Sequence, residues 1–319
     1  MKISTNILEA KKYLEQSKII AIPTETVYGL AANIYDESAI RSIYSIKKRP
    51  LTNPLIVHIK SKDELAQYTF DAPEKALLLA ETFWPGPLTL VLPKSEKIPS
   101  YISAYKDTVA LRVPAHEMAL QLLNCLSFPL AAPSANPSNR VSPTNANHVK
   151  GYFESEIPFI LDGDECKKGL ESTIIGFENK EPVLYRLGAL PVETIEKVVG
   201  PIKIKNNTST LPDAPGMFSK HYAPTIPLYI IDDLATFLEE TSLSSLAYLS
   251  FNKKYIHPKI KATYMLSEKK DLKQAAKNLY RTLIHIDSKN YDAIITQLFP
   301  EKEQGKAIND RLKRASCKL

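Results

Sequence analysis

The stretch IIAIPTETVYGLAAN, Ile19 to Asn33, decides how the rest of the chain is read. A short apolar run, Ile19 to Ile22, stops at Pro23, and Thr24, Glu25 and Thr26 follow, then Tyr28 and Gly29. A buried strand that breaks into a polar turn is where α/β proteins commonly place a ligand, just past the carboxyl end of the strand. The same letters fit an ordinary strand-to-helix turn, so the remainder of the chain has to choose. Gly29 is expected to permit close packing behind the turn.

Working outward, Ser38 to Lys47 reads as a helix with Ala39, Ile43 and Ile46 at helical spacing. LIVHI, Leu55 to Ile59, is a buried-strand pattern interrupted by a histidine, and WPGPLTLVLP, Trp84 to Pro93, is a stiff turn feeding a strand. Thr108 to Val113, Pro129 to Ala132, Ile157 to Leu161, Ser172 to Phe177 and Val183 to Arg186 read as further strands. Glu74 to Thr82, Met118 to Leu126 and Glu193 to Val199 read as helices between them. Alternating β-branched strands and helices predict a twisted, partly parallel α/β sheet over residues 1–204.

From about 205 to 226 the composition turns to Asn, Thr, Ser and Pro, ending in PDAPGMFSKHYAPT. That is the composition of a linker or lid. Beyond it, 227–319 reads as a smaller α/β unit, with strands at Leu228 to Ile231, Leu246 to Phe251, Ala262 to Leu266 and Tyr291 to Leu298. Asp271 to Ile286 carries Leu272, Ala276, Leu279, Leu283 and Ile286 on one helical face, and Lys306 to Ala315 is a basic closing helix.

Composition limits the function classes. The 319 residues are 44% hydrophobic and 24% charged, ordinary for a globular chain of two domains. Lys and Arg number 41 against 35 Asp and Glu, a formal charge of +6 that favours anionic partners such as nucleotides or RNA. Cys125, Cys166 and Cys317 lie far apart with no CxxC spacing, which argues against a zinc site or disulfide framework and for a reducing compartment. No apolar run approaches the length of a membrane span. The N-terminus reads as an amphipathic helix capped by Asn6 with Glu9 three residues on, and not as a targeting signal. A soluble, cytoplasmic protein is expected.

Several stretches could carry chemistry, each with a plainer reading beside it. Lys47, Lys48 and Arg49 suit a polyphosphate, since Arg offers a planar fork and Lys a point charge. They equally suit a solvated helix C-terminus, where cations are favoured. His58 could face a ligand or be a core histidine with one hydrogen bond satisfied. The loop from Ser134 to Thr144 holds Ser134, Asn136, Ser138, Asn139, Arg140, Ser142 and Thr144 among three prolines. Prolines leave such a loop few conformations, so its polar groups can be aimed at low entropic cost. Glu171, Ser172 and Thr173 precede a strand, while Arg112 and Arg186 sit at strand ends and together suggest anion clamps. Neither a Walker A sequence nor GxGxxG occurs, and no Ser-His-Asp or Cys-His order stands out.

PTETVYGL, Lys47-x-Arg49 before NPLIVHI, WPGPLTLVL, ALRVP, Ser134-x-Asn136, GLESTI and the late HYAP, in that order, resemble the YrdC-like threonylcarbamoyl-AMP synthases. The linker and the C-terminal unit ending in AINDRLKRA resemble the long form of that family, so the resemblance covers essentially the whole chain. It implies a YrdC-like open α/β sheet followed by a smaller Rossmann-like α/β domain. It also implies synthesis of L-threonylcarbamoyl-AMP from L-threonine, bicarbonate and ATP with release of pyrophosphate. The product would pass to a complex that modifies tRNAs reading ANN codons.

By the same resemblance Thr26, His58, Arg112 and Ser172 would hold threonine, with Arg112 pairing its carboxylate. Arg49, Asn53, Thr108, Ser134, Ser142, Arg186 and Tyr222 would contact ATP. Lys47 and Asn136 would complete the catalytic signature with Arg49 and Ser134. Mg2+ would be bound mainly through the ATP phosphates, with no metal site of the protein's own. The chain departs from the family pattern at Phe218, Ser219 and Lys220, and at Leu187 after Arg186, so lid details are the least transferable. An RNA-binding or ribosome-associated module with tight, salt-dependent RNA binding, and carbamoyl transfer of the hydrogenase-maturation kind, are the competing readings; weak RNA binding is a further expectation for the enzyme itself.

Overall fold

The computed structural model describes residues 1–205 and 221–317. In the first sheet the strands are β1 (Lys2–Ser4), β2 (Ile20–Ile22), β3 (Gly29–Asn33), β4 (Ile56–His58), β5 (Leu88–Pro93) and β6 (Thr108–Arg112). They continue with β7 (Leu130–Ala131), β8 (Phe159–Leu161), β9 (Thr173–Glu178), β10 (Glu181–Arg186) and β11 (Lys203–Ile204). Their spatial order is β1-β8-β2-β3-β7-β4-β6-β5-β9-β10-β11. Parallel pairs such as β4 with β6 and β5 with β9 alternate with antiparallel ones such as β2 with β3 and β5 with β6. The expected twisted, partly parallel sheet is present.

The opening stretch departs from the strand-to-helix reading of its turn. Gly29–Asn33 is itself a strand, antiparallel to β2 with Ile20 opposite Ala31 and Ile22 opposite Gly29. The turn therefore joins two strands and not a strand to a helix. GLAAN offers small residues where two neighbouring strands crowd in: a Cβ on Gly29 would stand 3.1 Å from the Cβ of Ala132. Thr24 knots the turn, its hydroxyl donating to the Val27 carbonyl at 2.6 Å and accepting from the amides of Thr26 and Val27, both at 3.2 Å.

Helices α1 (Ile7–Glu15), α2 (Glu37–Lys47), α3 (Leu65–Tyr68), α4 (Glu74–Phe83), α5 (Glu117–Cys125), α6 (Ala146–Phe153) and α7 (Val192–Val199) cover this sheet. The Asn6 side chain accepts from Glu9 N and that of Asp36 from Ala39 N, the N-cap geometry that satisfies otherwise orphaned amides. In α2, Ala39, Ile40, Ile43, Tyr44 and Lys47 point inward, and the helix stops at Lys48, whose φ of 51° is left-handed. That stop makes the KKR run three different residues: Lys47 on the buried face, Lys48 exposed at the cap, Arg49 turned back toward the protein.

The second sheet contains β12 (Leu228–Ile230), β13 (Leu246–Ser250), β14 (Ile260–Met265) and β15 (Ala293–Thr296), in the order β12-β15-β13-β14 with every pair parallel. Helices α8 (Leu234–Glu240), α9 (Leu272–Asp287) and α10 (Gln304–Ala315) pack on it. Its apolar core also takes in Val27, Val141, Leu170, Ala189 and Tyr222, so the two units share buried surface. The strand β1, the helix α6 and the helix α8 carry too few periodic residues for sequence reading to find them. Among the described residues no helix is long and apolar enough to cross a membrane.

Candidate active site

A cavity opens where the β2–β3 turn, the ends of β4 and β6, the Ser134 loop, the start of β9 and the end of β10 converge. It is lined by Thr26, Val27, Arg49, Ile56, His58, Arg112, Ala132, Pro133, Ser134, Glu171, Ser172, Arg186, His221 and Tyr222. Register explains the gathering. His58 lies opposite Arg112 on paired strands, and Arg186 lies opposite Ile174, two residues beyond Ser172.

One end is built around Arg112. Its Nη2 donates to Glu25 Oε1 at 2.7 Å and to the Thr26 hydroxyl at 2.9 Å, and its Nε donates to the Gly86 carbonyl at 3.3 Å. The second Glu25 oxygen accepts from Ala115 N at 3.0 Å. Glu25, which sequence reading left without a role, is the buried counter-ion of Arg112. His58 beside them is pushed down to about 3 by burial and by the Arg112 charge, so it is neutral at physiological pH. The hydroxyls of Thr89 and Ser172 share a hydrogen bond at 2.7 Å, which aims Ser172.

The other end holds Arg49 and Arg186. Arg49 donates from Nη2 to the Pro54 carbonyl at 2.7 Å and from Nε to the Asn53 carbonyl at 3.2 Å. Burial lowers its basicity to about 10, which still leaves it charged. Arg186 donates from Nη2 to the Ser172 carbonyl at 2.8 Å and to its hydroxyl at 3.2 Å.

Eight of the expected residues line the cavity: Thr26, Arg49, His58, Arg112, Ser134, Ser172, Arg186 and Tyr222. Five do not. Lys47 is buried beside the cavity lining, its Nζ donating to the Ser134 carbonyl at 2.5 Å and also to the Asn136 carbonyl. A buried amine with two carbonyl acceptors fixes the Ser134 loop, and burial followed by the Arg49 charge lowers its pKa. Asn136 works beside it, its Nδ2 donating to the carbonyls of Pro137 at 2.9 Å and Arg140 at 2.8 Å. Ser142 is buried and donates to Glu171 Oε1 at 2.6 Å. Asn53 is buried behind Arg49, with no hydrogen-bond partner for Oδ1 among the described residues.

Thr108 is the remote one. It starts β6 and borders a separate depression with Asp71, Pro73, Val91, Pro93, Phe177, Lys180 and Tyr185. Strand alternation nevertheless puts Thr108, Ala110 and Arg112 on one face, roughly 13 Å from end to end at ordinary strand rise. Between them lies an apolar floor of Ile56, Val91, Ala110 and Ile174, with Tyr185 packed against it.

A third group joins the cavity to the C-terminal unit, and sequence reading missed it. Glu171 Oε2 accepts from the Tyr280 hydroxyl and from Arg311 Nε, both at 3.0 Å. Arg311 also donates from Nη2 to the Leu187 carbonyl at 2.7 Å, and its guanidinium lies 4.6 Å from the Tyr222 ring centre. Burial works against the Glu171 charge, but the Arg311 and Arg186 guanidiniums and the Ser142 hydroxyl outweigh it and hold the carboxyl at about 2. His221, on the linker side of the cavity, is lowered to about 3, chiefly by burial. The expected lid from Pro212 to Pro224 is described only from His221 onward; Phe218, Ser219 and Lys220 lie outside the described residues.

No group of three or more His, Cys, Asp or Glu side chains that could hold a metal occurs among the described residues. Glu25 and Glu171, the carboxylates beside the cavity, are each engaged by an arginine.

Residues 12–188 match the family described as "Telomere recombination", the Sua5/YciO/YrdC domain, and residues 190–317 match "Threonylcarbamoyl-AMP synthase, C-terminal domain". A threonylcarbamoyl-AMP synthase of Pyrococcus abyssi is 41% identical over 96% of this chain and 93% of its own length. That of Bacillus subtilis is 38% identical over 99% of this chain and 95% of its own. A crystal structure of P. abyssi Sua5 complexed with L-threonine superposes with a TM-score of 0.91 at 39% identity, covering 99% of this chain and 98% of that one.

Proposed function

The chain belongs to the two-domain threonylcarbamoyl-AMP synthase family and is an enzyme of tRNA modification with that activity, and from that premise we propose how its own residues divide the work. A crystal structure of the P. abyssi relative holds L-threonine, and in our reading threonine takes the Arg112 end of this cavity. Its carboxylate pairs with the Arg112 guanidinium, which already carries Glu25 and Thr26 on Nη2. Ser172 and Thr26 offer hydroxyls to the rest of the substrate, and neutral His58 offers a hydrogen bond without a competing charge.

ATP lies along the same sheet face. Its phosphates meet Arg49, Arg186 and Ser134, and its base lies over the apolar floor toward Thr108, a distance the nucleotide can span. Tyr222 borders it from the linker. Lys47, Asn53, Asn136 and Ser142 act from behind, by holding Arg49, the Ser134 loop and Glu171 in place. This is a narrower role than direct ligand contact, and it is what their hydrogen bonds support.

The observation that carries the reading is that Arg49, Arg112 and Arg186 converge on one cavity whose neighbouring carboxylates are already paired. Such a cavity needs anions, and a carboxylate, a bicarbonate and a triphosphate supply them. The threonine amine attacks the bicarbonate carbon, water leaves, and a carbamate forms. A carbamate oxygen then attacks the α-phosphorus of ATP and pyrophosphate departs. Neither step needs a protein nucleophile, so catalysis rests on positioning and on charge stabilisation by the guanidiniums. Magnesium, which favours phosphate oxygens and water, would enter with the nucleotide, because the nearby carboxylates are committed to arginines. The product is handed to the tRNA-modifying machinery.

The test is pyrophosphate release by the purified enzyme with ATP, threonine, bicarbonate and magnesium. Release should fall to background when threonine or bicarbonate is left out. Release that ignores either omission contradicts the reading.

A further inference from the structure

The GLEST stretch, Gly169 to Thr173, answers to the C-terminal unit at two points. Gly169 has φ of +74°, and a Cβ there would stand 2.5 Å from the Lys277 carbonyl of α9, so the two backbones meet closely. Two residues on, Glu171 reaches across the same junction. One carboxylate oxygen holds Ser142 at 2.6 Å, and the other takes Tyr280 and Arg311, both at 3.0 Å. Arg311 is 1% exposed and Tyr280 is fully buried, so this is an interior connection and not a surface ion pair.

We propose that Glu171, Tyr280 and Arg311 form a positioning relay through which the C-terminal unit builds the nucleotide end of the catalytic cavity. The relay rests on the division of the cavity given above. What it touches decides which substrate feels it. Glu171 fixes Ser142, and Arg311 backs the Tyr222 ring and grips the Leu187 carbonyl next to Arg186. All three contacts fall on the nucleotide side. The threonine side has anchors of its own, Arg112 on Glu25 and Ser172 on Thr89, and meets the nucleotide side where Arg186 donates to Ser172. The C-terminal unit is therefore part of the active site's wall, and its loss of register would be read first as a loss of ATP affinity.

Removing only Arg311 would leave Glu171 charged and buried, and the protein could fail for that reason alone. A double variant avoids this. Glu171→Gln with Arg311→Met takes both charges away while keeping comparable volumes in the junction. We expect it to keep the melting temperature of the wild type within a few degrees. Its ATP dissociation constant, measured by calorimetry on the full chain without threonine, should rise by at least roughly tenfold, while threonine affinity changes less than about threefold. Arg281→Ala, which breaks an exposed contact to Glu165 across the same junction, should change neither affinity. A double variant with wild-type ATP affinity, or one that weakens ATP and threonine equally, overturns the relay. Because the readout is binding, it is independent of turnover: failed threonine-dependent pyrophosphate release would count against the proposed reaction, and unchanged ATP binding against the relay.

Discussion

Glu25 Oε1 and Arg112 Nη2 lie 2.7 Å apart with both side chains almost wholly buried. The guanidinium that would take the substrate carboxylate thus arrives already paired, which fixes its plane and leaves an incoming anion to share it. Removing one partner of a buried pair costs about 3–5 kcal/mol because the other charge is left uncompensated. Glu25→Gln should therefore lower stability without ligand by about that amount. Threonine should then raise the melting temperature more than it does in the wild type, since its carboxylate becomes the main counter-charge. Thermal unfolding with and without threonine decides this; equal shifts in the two proteins would refute it.

The run Lys47, Lys48, Arg49 should separate into three effects. Lys47→Ala takes the side-chain donor from the buried Asn136 carbonyl, while the Ser134 carbonyl keeps the Asn136 amide, and should cost about 1–3 kcal/mol, with activity lost as the Ser134 loop relaxes. Arg49→Ala takes the donor from the buried Pro54 carbonyl, so it should cost about 1–3 kcal/mol in urea unfolding, and in addition it should lose ATP affinity. Lys48→Gly should keep full activity and gain up to about 1 kcal/mol, because glycine adopts the left-handed cap without strain. Three equal losses would point to a generic basic patch.

Both cavity histidines, His58 and His221, are lowered to about 3 by burial, against an ordinary value of 6.5. Between those values the unfolded chain binds the protons and the folded one does not, so stability rises with pH. Their contribution is present above about pH 6.5 and is lost as pH falls toward 3. Denaturant unfolding from pH 7 to pH 4 should show a steeper loss in the wild type than in His58→Gln. The pH-rate profile should carry no inflection from His58 between pH 5 and 8. An inflection near 6.5 that disappears in His58→Gln would contradict this placement.

Gly169→Ala should loosen the junction between the units. The left-handed backbone costs an alanine about 1–2 kcal/mol, and the added methyl would push against the Lys277 carbonyl. Limited proteolysis should find new cleavage sites in the C-terminal unit before any in the first sheet. An unchanged digestion pattern and melting temperature would show that the junction yields at no cost.

The sheet was legible because its strands are short β-branched runs broken by proline turns, and the helix ends because Asn6 and Asp36 are strong caps. The cavity-lining residues were reached through the resemblance, since nothing local in LIVHI tells a ligand-facing His58 from a core one. The hairpin at Gly29 was not legible, because GLAAN has no alternation and its strand identity comes from crowding against Ala132. Lys47 and Arg49 look alike in sequence, yet a left-handed residue between them turns one inward to carbonyls and the other to the cavity. The pairings of Glu25, Glu171, Tyr280 and Arg311 were invisible for a different reason: each acts through a partner 31 to 140 positions away, and one sequence carries no trace of them.

The most direct test is to measure threonine and ATP dissociation constants separately in Arg112→Lys and Arg49→Ala. Lysine cannot reproduce the planar fork, so Arg112→Lys should weaken threonine by roughly tenfold or more and leave ATP within about twofold. Arg49→Ala should do the reverse. If both variants weaken both ligands alike, the cavity is not divided between a carboxylate end and a nucleotide end.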